Sequence, residues 1–412
     1  LRFTVKFSEL EYNYKREVKM TEERKEEKQG LSRRDFVKGL AIGGSAGFIG
    51  AMGLYSYGPW RERHFAKVVP KGVDIGECKS VKILNVTETS WFDNKVLMGD
   101  IKGSGGLLVN QYSYNWPPFA EPKGQLSKGS YEKGIKQIKQ WLPNQLDKAW
   151  QFQMENAVHP ENAGGFSCVI EVELMDGSKK KILQDVGWSY DWMEQVYKRE
   201  GIDKMLANKQ FDFLFISHEH FDHFWGLPVA VKYNPEIPIY YPEGFYQEGQ
   251  RYIQDSGHRG KAIACKPGLT QMWPGVAIYN FAIPIICRVY GENSLLFNVK
   301  DVGLVYVTGC NHQGIIQFVD TVRNTIKVAK NHGIYGGLHI SPFEDWDPKY
   351  DDLVIAFKKY GFEKVGCNHC TGITCAKKFI EAGYPVVQGS ARFRTKDRAY
   401  LGNGDTIEFR AA

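Results

Sequence analysis

The sequence has few of the features that define several common protein classes. Eight cysteines in 412 residues are too few for a disulfide scaffold. The formal net charge is only +6, and the basic residues are spread rather than clustered, so no nucleic-acid partner is expected. A Walker loop and a G-x-G-x-x-G loop are also missing. The absence of these features disfavours a disulfide-rich domain, a nucleic-acid-binding protein and a nucleotide-binding fold.

The composition that remains is that of a protein with a sizeable core. Hydrophobic residues make up 43% of the chain and charged residues 24%. We predict a tail and signal over residues 1–64 and one large domain over 65–412. A stretch at about 100–157 is predicted to be an insertion in that domain.

The N-terminal segment combines a charged tail with a short apolar run. Residues 1–30 mix both signs of charge and are predicted to be disordered. Residues 31–38 read L-S-R-R-D-F-V-K, and a Gly- and Ala-rich run without charge follows at 39–57. This pattern resembles a twin-arginine export signal, although an amphipathic helix with an incidental Arg pair is the alternative. The resemblance implies the export machinery as a partner, a periplasmic or extracytoplasmic location, membrane contact only through an uncleaved signal, and a start at Met20.

A dense group of potential metal ligands follows an apolar stretch at residues 211–216. His218, His220, Asp222 and His223 fall within six positions, where a predicted buried strand leaves the core. In an extended chain, residues two apart point the same way, so His218 and His220 can bind one ion. Asp222 and His223 then diverge, which suits a second ion.

This stretch, H-E-H-F-D-H-F-W-G, resembles the H-x-H-x-D-H signature of the metallo-β-lactamase-fold superfamily. The resemblance implies an α/β (α+β) fold, an αββα sandwich of two mixed sheets with flanking helices. It also implies one or two zinc ions, with iron or manganese as alternatives.

A second group of ligand-type residues follows the apolar stretch 303–308. The sequence there is T-G-C-N-H-Q-G-I, and G-G-L-H-I and H-C-T-G follow at 336–340 and 369–372. These motifs resemble a subfamily named for 7,8-dihydropterin-6-yl-methyl-4-(β-D-ribofuranosyl)aminobenzene-5′-phosphate synthase, in which Cys replaces a metal-bridging Asp. The resemblance implies that His312 and His369 are metal ligands. Cys310 is either a ligand or a space-filling thiol, and we expect it not to bridge. His339 is a candidate for substrate contact.

Three further features bear on the same site. Strands are predicted at 166–172 and 181–185 around a turn at 176–178, and Asp185 at their end either orients a ligand from outside the metal shell or caps a turn. The segment 386–393 resembles the last core strand of the subfamily. The spacing C-x₂-C-x₄-C at Cys367, Cys370 and Cys375 resembles part of an iron–sulfur or structural zinc site, with Cys310 as the missing fourth ligand.

These patterns together predict a metal-dependent hydrolase acting on a small molecule, which the subfamily name suggests is phosphorylated. A metal-bound hydroxide would be the nucleophile, and Asp222 would hold a second metal or act as the base. An iron-binding redox protein of the same fold and a metal-binding protein without turnover are the alternatives.

Overall fold

Strands and helices alternate along the computed structural model, which describes residues 72–88, 164–285, 289–342, 344, 346–395 and 397–411. All of them belong to one compact unit, Pro70–Ala412. The predicted tail and signal at 1–64, Met20, and the predicted insertion at 100–157 lie outside the described residues and stay predictions.

The first of two mixed β-sheets provides the strand that precedes the histidine cluster. Its members are β1 (Cys78–Thr87), β2 (Ser167–Leu174), β3 (Lys179–Gln184), β4 (Phe213–Phe215), β5 (Ile239–Pro242), β6 (Ala262–Cys265) and β13 (Thr406–Arg410). They lie in the order β13-β1-β2-β3-β4-β5-β6. The pairs β3–β4, β4–β5 and β5–β6 are parallel, and the other pairs are antiparallel.

The second sheet carries the remaining candidate ligands. Its members are β7 (Gly268–Trp273), β8 (Val276–Ile285), β9 (Val289–Val299), β10 (Gly303–Thr308), β11 (Asn331–Gly336) and β12 (Lys364–Cys367), in that order. The pairs β10–β11 and β11–β12 are parallel, so their carboxyl ends share one edge. The backbone pairing of Cys78 with Val299 joins the two sheets.

Helices pack on the outer face of each sheet. The first sheet is covered by α1 (Tyr190–Glu200), α2 (Ile202–Ala207), α3 (Phe221–Phe224), α4 (Leu227–Tyr233) and α5 (Gln247–Asp255). The second sheet is covered by α6 (Ile315–Thr325), α7 (Lys349–Phe357) and α8 (Ile373–Glu381).

Alternation along the strands separates three hydrophobic cores. In β4, Phe213 and Phe215 point into a core that contains residues of both sheets, whereas Leu214 points into the core beneath α1–α5. In β10, Val305 joins the inter-sheet core and Tyr306 packs beneath α6–α8. The layer order is therefore helix, sheet, sheet, helix, and the predicted αββα fold is confirmed.

Two local predictions were wrong. Residues 386–393 do not form a strand, since only Val386 makes an isolated bridge to Val365, and Ala391 and Phe393 have left-handed φ angles of 55° and 51°. The last strand of the sheet is β13 instead. Residues 221–224 are helical rather than extended, which brings the side chains of Asp222 and His223 together. Within the part of the chain that is described, no helix is long and apolar enough to cross a membrane.

Candidate metal centre

The predicted ligands collect where strands of both sheets end. His218–His223 follow β4 in the first sheet, and Asp185 follows the parallel neighbour β3. Cys310 and His312 follow β10, His339 follows β11, and His369 follows β12. Ligands separated by about 150 residues in the chain therefore meet, because the sheets pack with these ends together.

The first donor group contains His218, His220 and His312. Nε2 of His218 lies 2.9 Å from Nδ1 of His220. The ring of His312 lies with its centroid 4.8 Å from that of His218 and 4.9 Å from that of His220. Donor atoms of His218, His312 and Cys310 all lie within 4.8 Å of one another. The structure thus brings together the three histidines proposed for one ion.

The second donor group contains Asp222, His223, Cys310 and His369. Nε2 of His223 lies 3.1 Å from Sγ of Cys310 and 3.1 Å from Nε2 of His369. Oδ2 of Asp222 lies 3.3 Å from Nε2 of His369 and 3.9 Å from Nε2 of His223. The thiol of Cys310 lies within reach of both groups, and the expectation that it does not bridge stays a prediction.

Asp185 holds the motif loop from behind. Its Oδ1 accepts a hydrogen bond from the backbone N–H of Ser217 (2.7 Å), and its Oδ2 accepts one from the hydroxyl of Ser217 (2.7 Å). Oδ2 also lies 2.8 Å from Nδ1 of His223. The carboxylate is fully buried and therefore fixes both the loop and the ring of His223.

Glu292 holds the loop after β10 in the way that Asp185 holds the loop after β4. Its carboxylate accepts hydrogen bonds from the backbone N–H groups of Cys310 (3.2 Å), Asn311 (2.6 Å) and His312 (2.7 Å). Its Oε2 also lies 3.0 Å from Nδ1 of His312. The sequence analysis missed this role. The available signal was a charged residue shortly before the apolar run 295–297 of a predicted strand.

The hydrogen bonds around the rings decide which nitrogen of each histidine faces inward. In His223 and His312, Nδ1 is protonated, because its partner is a carboxylate. In His218, Nδ1 donates to Oγ of Ser217 (2.9 Å), because that hydroxyl donates to Asp185. In His369, Nδ1 faces the backbone carbonyl of Glu88 at 3.4 Å. These outward contacts of Nδ1 turn the Nε2 atoms of the rings toward one another.

This arrangement fits a metal cation. The bare nitrogens of His223 and His369 face each other at 3.1 Å, and such lone pairs repel unless a cation or a proton lies between them. Nε2 of His312 is buried and has no hydrogen-bond partner among the described residues, and the buried carboxylate of Asp222 faces the rings of His369 and His223. Two imidazole nitrogens on a tetrahedral zinc ion lie roughly 3.4 Å apart, so only small shifts are needed to hold one.

The electrostatics of the site agree with that interpretation. Burial and the neighbouring imidazoles hold the pKa of His218 well below its usual value, and burial does the same for His312. Burial also disfavours a charge on His369, but the hydrogen bond to Asp222 and further acidic neighbours raise its pKa to about 9. A proton at His369 thus takes the position that a metal ion would hold, while His218 and His312 stay neutral and able to bind one.

The remaining candidates are divided between the site and the core. The ring of His339 lies 4.4 Å from that of His312, at the border of the first donor group. Cys367 and Cys375 pack in the apolar core beneath α6–α8, whereas Cys370 points toward Cys310. The three cysteines of the C-x₂-C-x₄-C spacing therefore do not converge on one site.

We expect Glu292→Gln to destabilise the fold. The amide NH₂ that replaces one carboxylate oxygen cannot accept from the backbone N–H groups that converge on it. A buried donor without an acceptor costs about 1–3 kcal/mol, so the free energy of unfolding should fall by about that much. Urea unfolding of the protein checks this, with the exposed Glu363→Gln as the control. An unchanged midpoint for Glu292→Gln would show that the carboxylate does not hold the loop.

Comparison with known proteins yields one family and several relatives. Residues 165–314 match the family described as the Metallo-beta-lactamase superfamily. The matched segment contains Asp185, the 218–223 motif, Glu292, Cys310 and His312, and it ends before His339 and His369.

Two relatives come from Methanocaldococcus jannaschii. The 7,8-dihydropterin-6-methyl-4-(beta-D-ribofuranosyl)-aminobenzene-5'-phosphate synthase is 26% identical over 254 residues, which is 53% of this chain and 84% of that protein. An uncharacterized protein is 23% identical over 243 residues, which is 53% of this chain and 87% of that protein. A crystal structure described as a metal-dependent hydrolase of the beta-lactamase superfamily shares 20% identity, with a TM-score of 0.43 over 60% of this chain and 92% of that one.

Proposed function

We propose that the chain is a metal-dependent hydrolase of a small-molecule substrate, a proposal supported by the match of residues 165–314 to the Metallo-beta-lactamase superfamily. The observation that carries this proposal is the convergence of the Nε2 atoms of His218, His223, His312 and His369 inside the site. Outward hydrogen bonds hold all four rings in place.

Two adjacent positions for metal fit the donors. His218, His220 and His312 would hold one ion, and Asp222, His223 and His369 would hold the second, with Cys310 available to both. Imidazole and thiolate donors suit zinc, and iron or manganese would also be accepted by the nitrogen and carboxylate donors. When bound, such an ion lowers the pKa of water and polarises the bond to be cut.

The side chains of the site supply the proton transfers and the orientation. Burial alone would raise the pKa of Asp222, but the imidazoles of His223 and His369 hold it below its usual range. The carboxylate is therefore ionised, and beside His369 and His223 it is placed to orient the attacking water or to accept its proton. His339, next to His312, is placed to contact the substrate.

The substrate class is proposed from the relative alone. The name of the Methanocaldococcus jannaschii protein refers to a 5'-phosphate compound, which supports a phosphorylated small molecule as the substrate.

The carboxylates of Asp185 and Glu292 already accept hydrogen bonds that hold the loops, so neither of them is free to act as a catalytic base.

Metal removal tests the function. We expect dialysis against a chelator to abolish turnover of chromogenic phosphodiesters, phosphomonoesters or lactones, and zinc, manganese or ferrous iron to restore it. Restoration by magnesium alone would argue against the imidazole site, because magnesium prefers oxygen ligands. A fully metal-loaded protein that turns over none of these compounds would favour the non-catalytic alternative. A coloured iron protein that accepts electrons would favour the redox alternative.

A further inference from the structure

A third set of donors lies on the other side of Cys310. Sγ of Cys310, Sγ of Cys370 and a ring nitrogen of His339 all lie within 4.8 Å of one another. Sγ of Cys370 also lies 3.6 Å from the backbone oxygen of Cys310. Cys370 and His339 belong to neither group of the proposed hydrolytic site.

The fold brings the three donors of this set close together. Cys310, His339 and Cys370 follow β10, β11 and β12, three neighbouring parallel strands whose carboxyl ends share an edge. Gly337, just after β11, leaves room for the thiol of Cys370: a Cβ at Gly337 would lie 2.6 Å from that Sγ. His339 has a left-handed φ of 46°, an uncommon conformation for a residue with a side chain.

The environment of Cys370 differs from that of the other cysteines nearby. Cys367 and Cys375 are members of the apolar core beneath α6–α8. Cys370 is equally buried, but polar groups surround its thiol, and it belongs to none of the three hydrophobic cores. Nδ1 of His339 is buried and has no hydrogen-bond partner in the described part of the chain. An apolar packing role therefore explains Cys367 and Cys375 but not Cys370.

We propose that Cys310, Cys370 and His339 form a further metal position, which takes a thiophilic divalent cation such as Zn²⁺ and shares the Cys310 thiolate with the histidine site. Two sulfurs and one imidazole nitrogen match zinc and exclude magnesium and calcium, which require oxygen donors. A thiolate sulfur has three lone pairs, so Cys310 can serve this position in addition to the two histidine groups. The proposed metal position does not depend on hydrolytic activity.

The zinc content of Cys370→Ala tests the proposal, with Cys375→Ala as the matched control. Both substitutions remove a buried thiol within the same stretch of chain, but only Cys370 lies in the donor set. After saturation with zinc under reducing conditions and gel filtration, Cys370→Ala should hold about one ion per chain less than the wild type, and Cys375→Ala the same number as the wild type. With cobalt in place of zinc, the near-ultraviolet absorption from thiolate-to-metal charge transfer should weaken in Cys370→Ala alone.

Equal zinc content and equal charge-transfer absorption in the wild type and Cys370→Ala would overturn the proposal. His339→Ala provides a second test should Cys370→Ala fail to fold, and it should lose the same ion while keeping both thiols. A loss of every ion at once in either variant would also contradict a separate position. The outcome is independent of turnover, because a hydrolytically inactive protein that still loses a single ion in Cys370→Ala would support this position and refute only the proposed activity.

Discussion

Replacing His218 and His220 together by alanine is expected to abolish metal binding at the first donor group and all hydrolysis. The two rings present their donor nitrogens 2.9 Å apart, and only His312 and the shared Cys310 remain in that group. Two donors do not hold a zinc ion that requires four, counting solvent. Metal analysis of the purified protein, together with turnover before and after reconstitution, measures both effects.

The control for this double substitution removes two imidazoles elsewhere. His258 contacts the backbone oxygen of Ile237, and His332 pairs with Glu363. His258→Ala/His332→Ala should therefore keep its full complement of metal. Full metal content in His218→Ala/His220→Ala would rule out the first donor group.

Asp185→Asn is expected to have the second-largest effect on metal binding, although Asp185 is not one of the proposed ligands. Asparagine tolerates the left-handed φ of 53° at this position, so the backbone is retained. The amide can still accept from the backbone N–H of Ser217, but its NH₂ group then faces Nδ1 of His223. Nδ1 must become the acceptor, which places the proton on Nε2, the nitrogen that faces His369.

Loss of such an outer hydrogen bond to a metal-binding histidine weakens metal binding by 10–100-fold. We expect a decrease of about that size for the second donor group of Asp185→Asn in competition titrations with a chromophoric chelator. The exposed turn residue Asp176 provides the control Asp176→Asn, which should bind as the wild type does. Unchanged affinity in Asp185→Asn would show that the tautomer of His223 is set by another group.

The sequence was sufficient to predict the fold and to identify candidate ligands for the centre. Apolar stretches followed by H-x-H-x-D-H or T-G-C-x-H predict strands that end at a site, and the structure brings His218, His312 and His369 together at such ends. The order of these motifs along the chain predicts the fold well, because the strands and the ligands that follow them occur in the same order in the sequence.

The remaining features depend on folding that no local pattern specifies. The role of Glu292 arises because β9 lies beside the loop after β10, so that one carboxylate meets three backbone amides. The helix at residues 221–224 replaces the expected extended chain and turns Asp222 toward His369. The left-handed conformations of Asn311 and His369 are likewise stabilised by tertiary packing, since residues other than glycine seldom adopt a positive φ.

The backbone pairing of Cys78 with Val299 gives the sandwich an asymmetry along β1. That pairing lies at the start of β1, and the carbonyl of Glu88, which faces His369, lies just past its end. The two points are separated by about 30 Å of extended chain. The two sheets are thus joined by a backbone pairing at the start of β1, and near the ligands by the hydrogen bond from the backbone N–H of Asn293 in β9 to the carbonyl of Ser217 after β4. Loss of a metal ion would therefore release only the ligand side chains, because this hydrogen bond and the inter-sheet core keep the two sheets together.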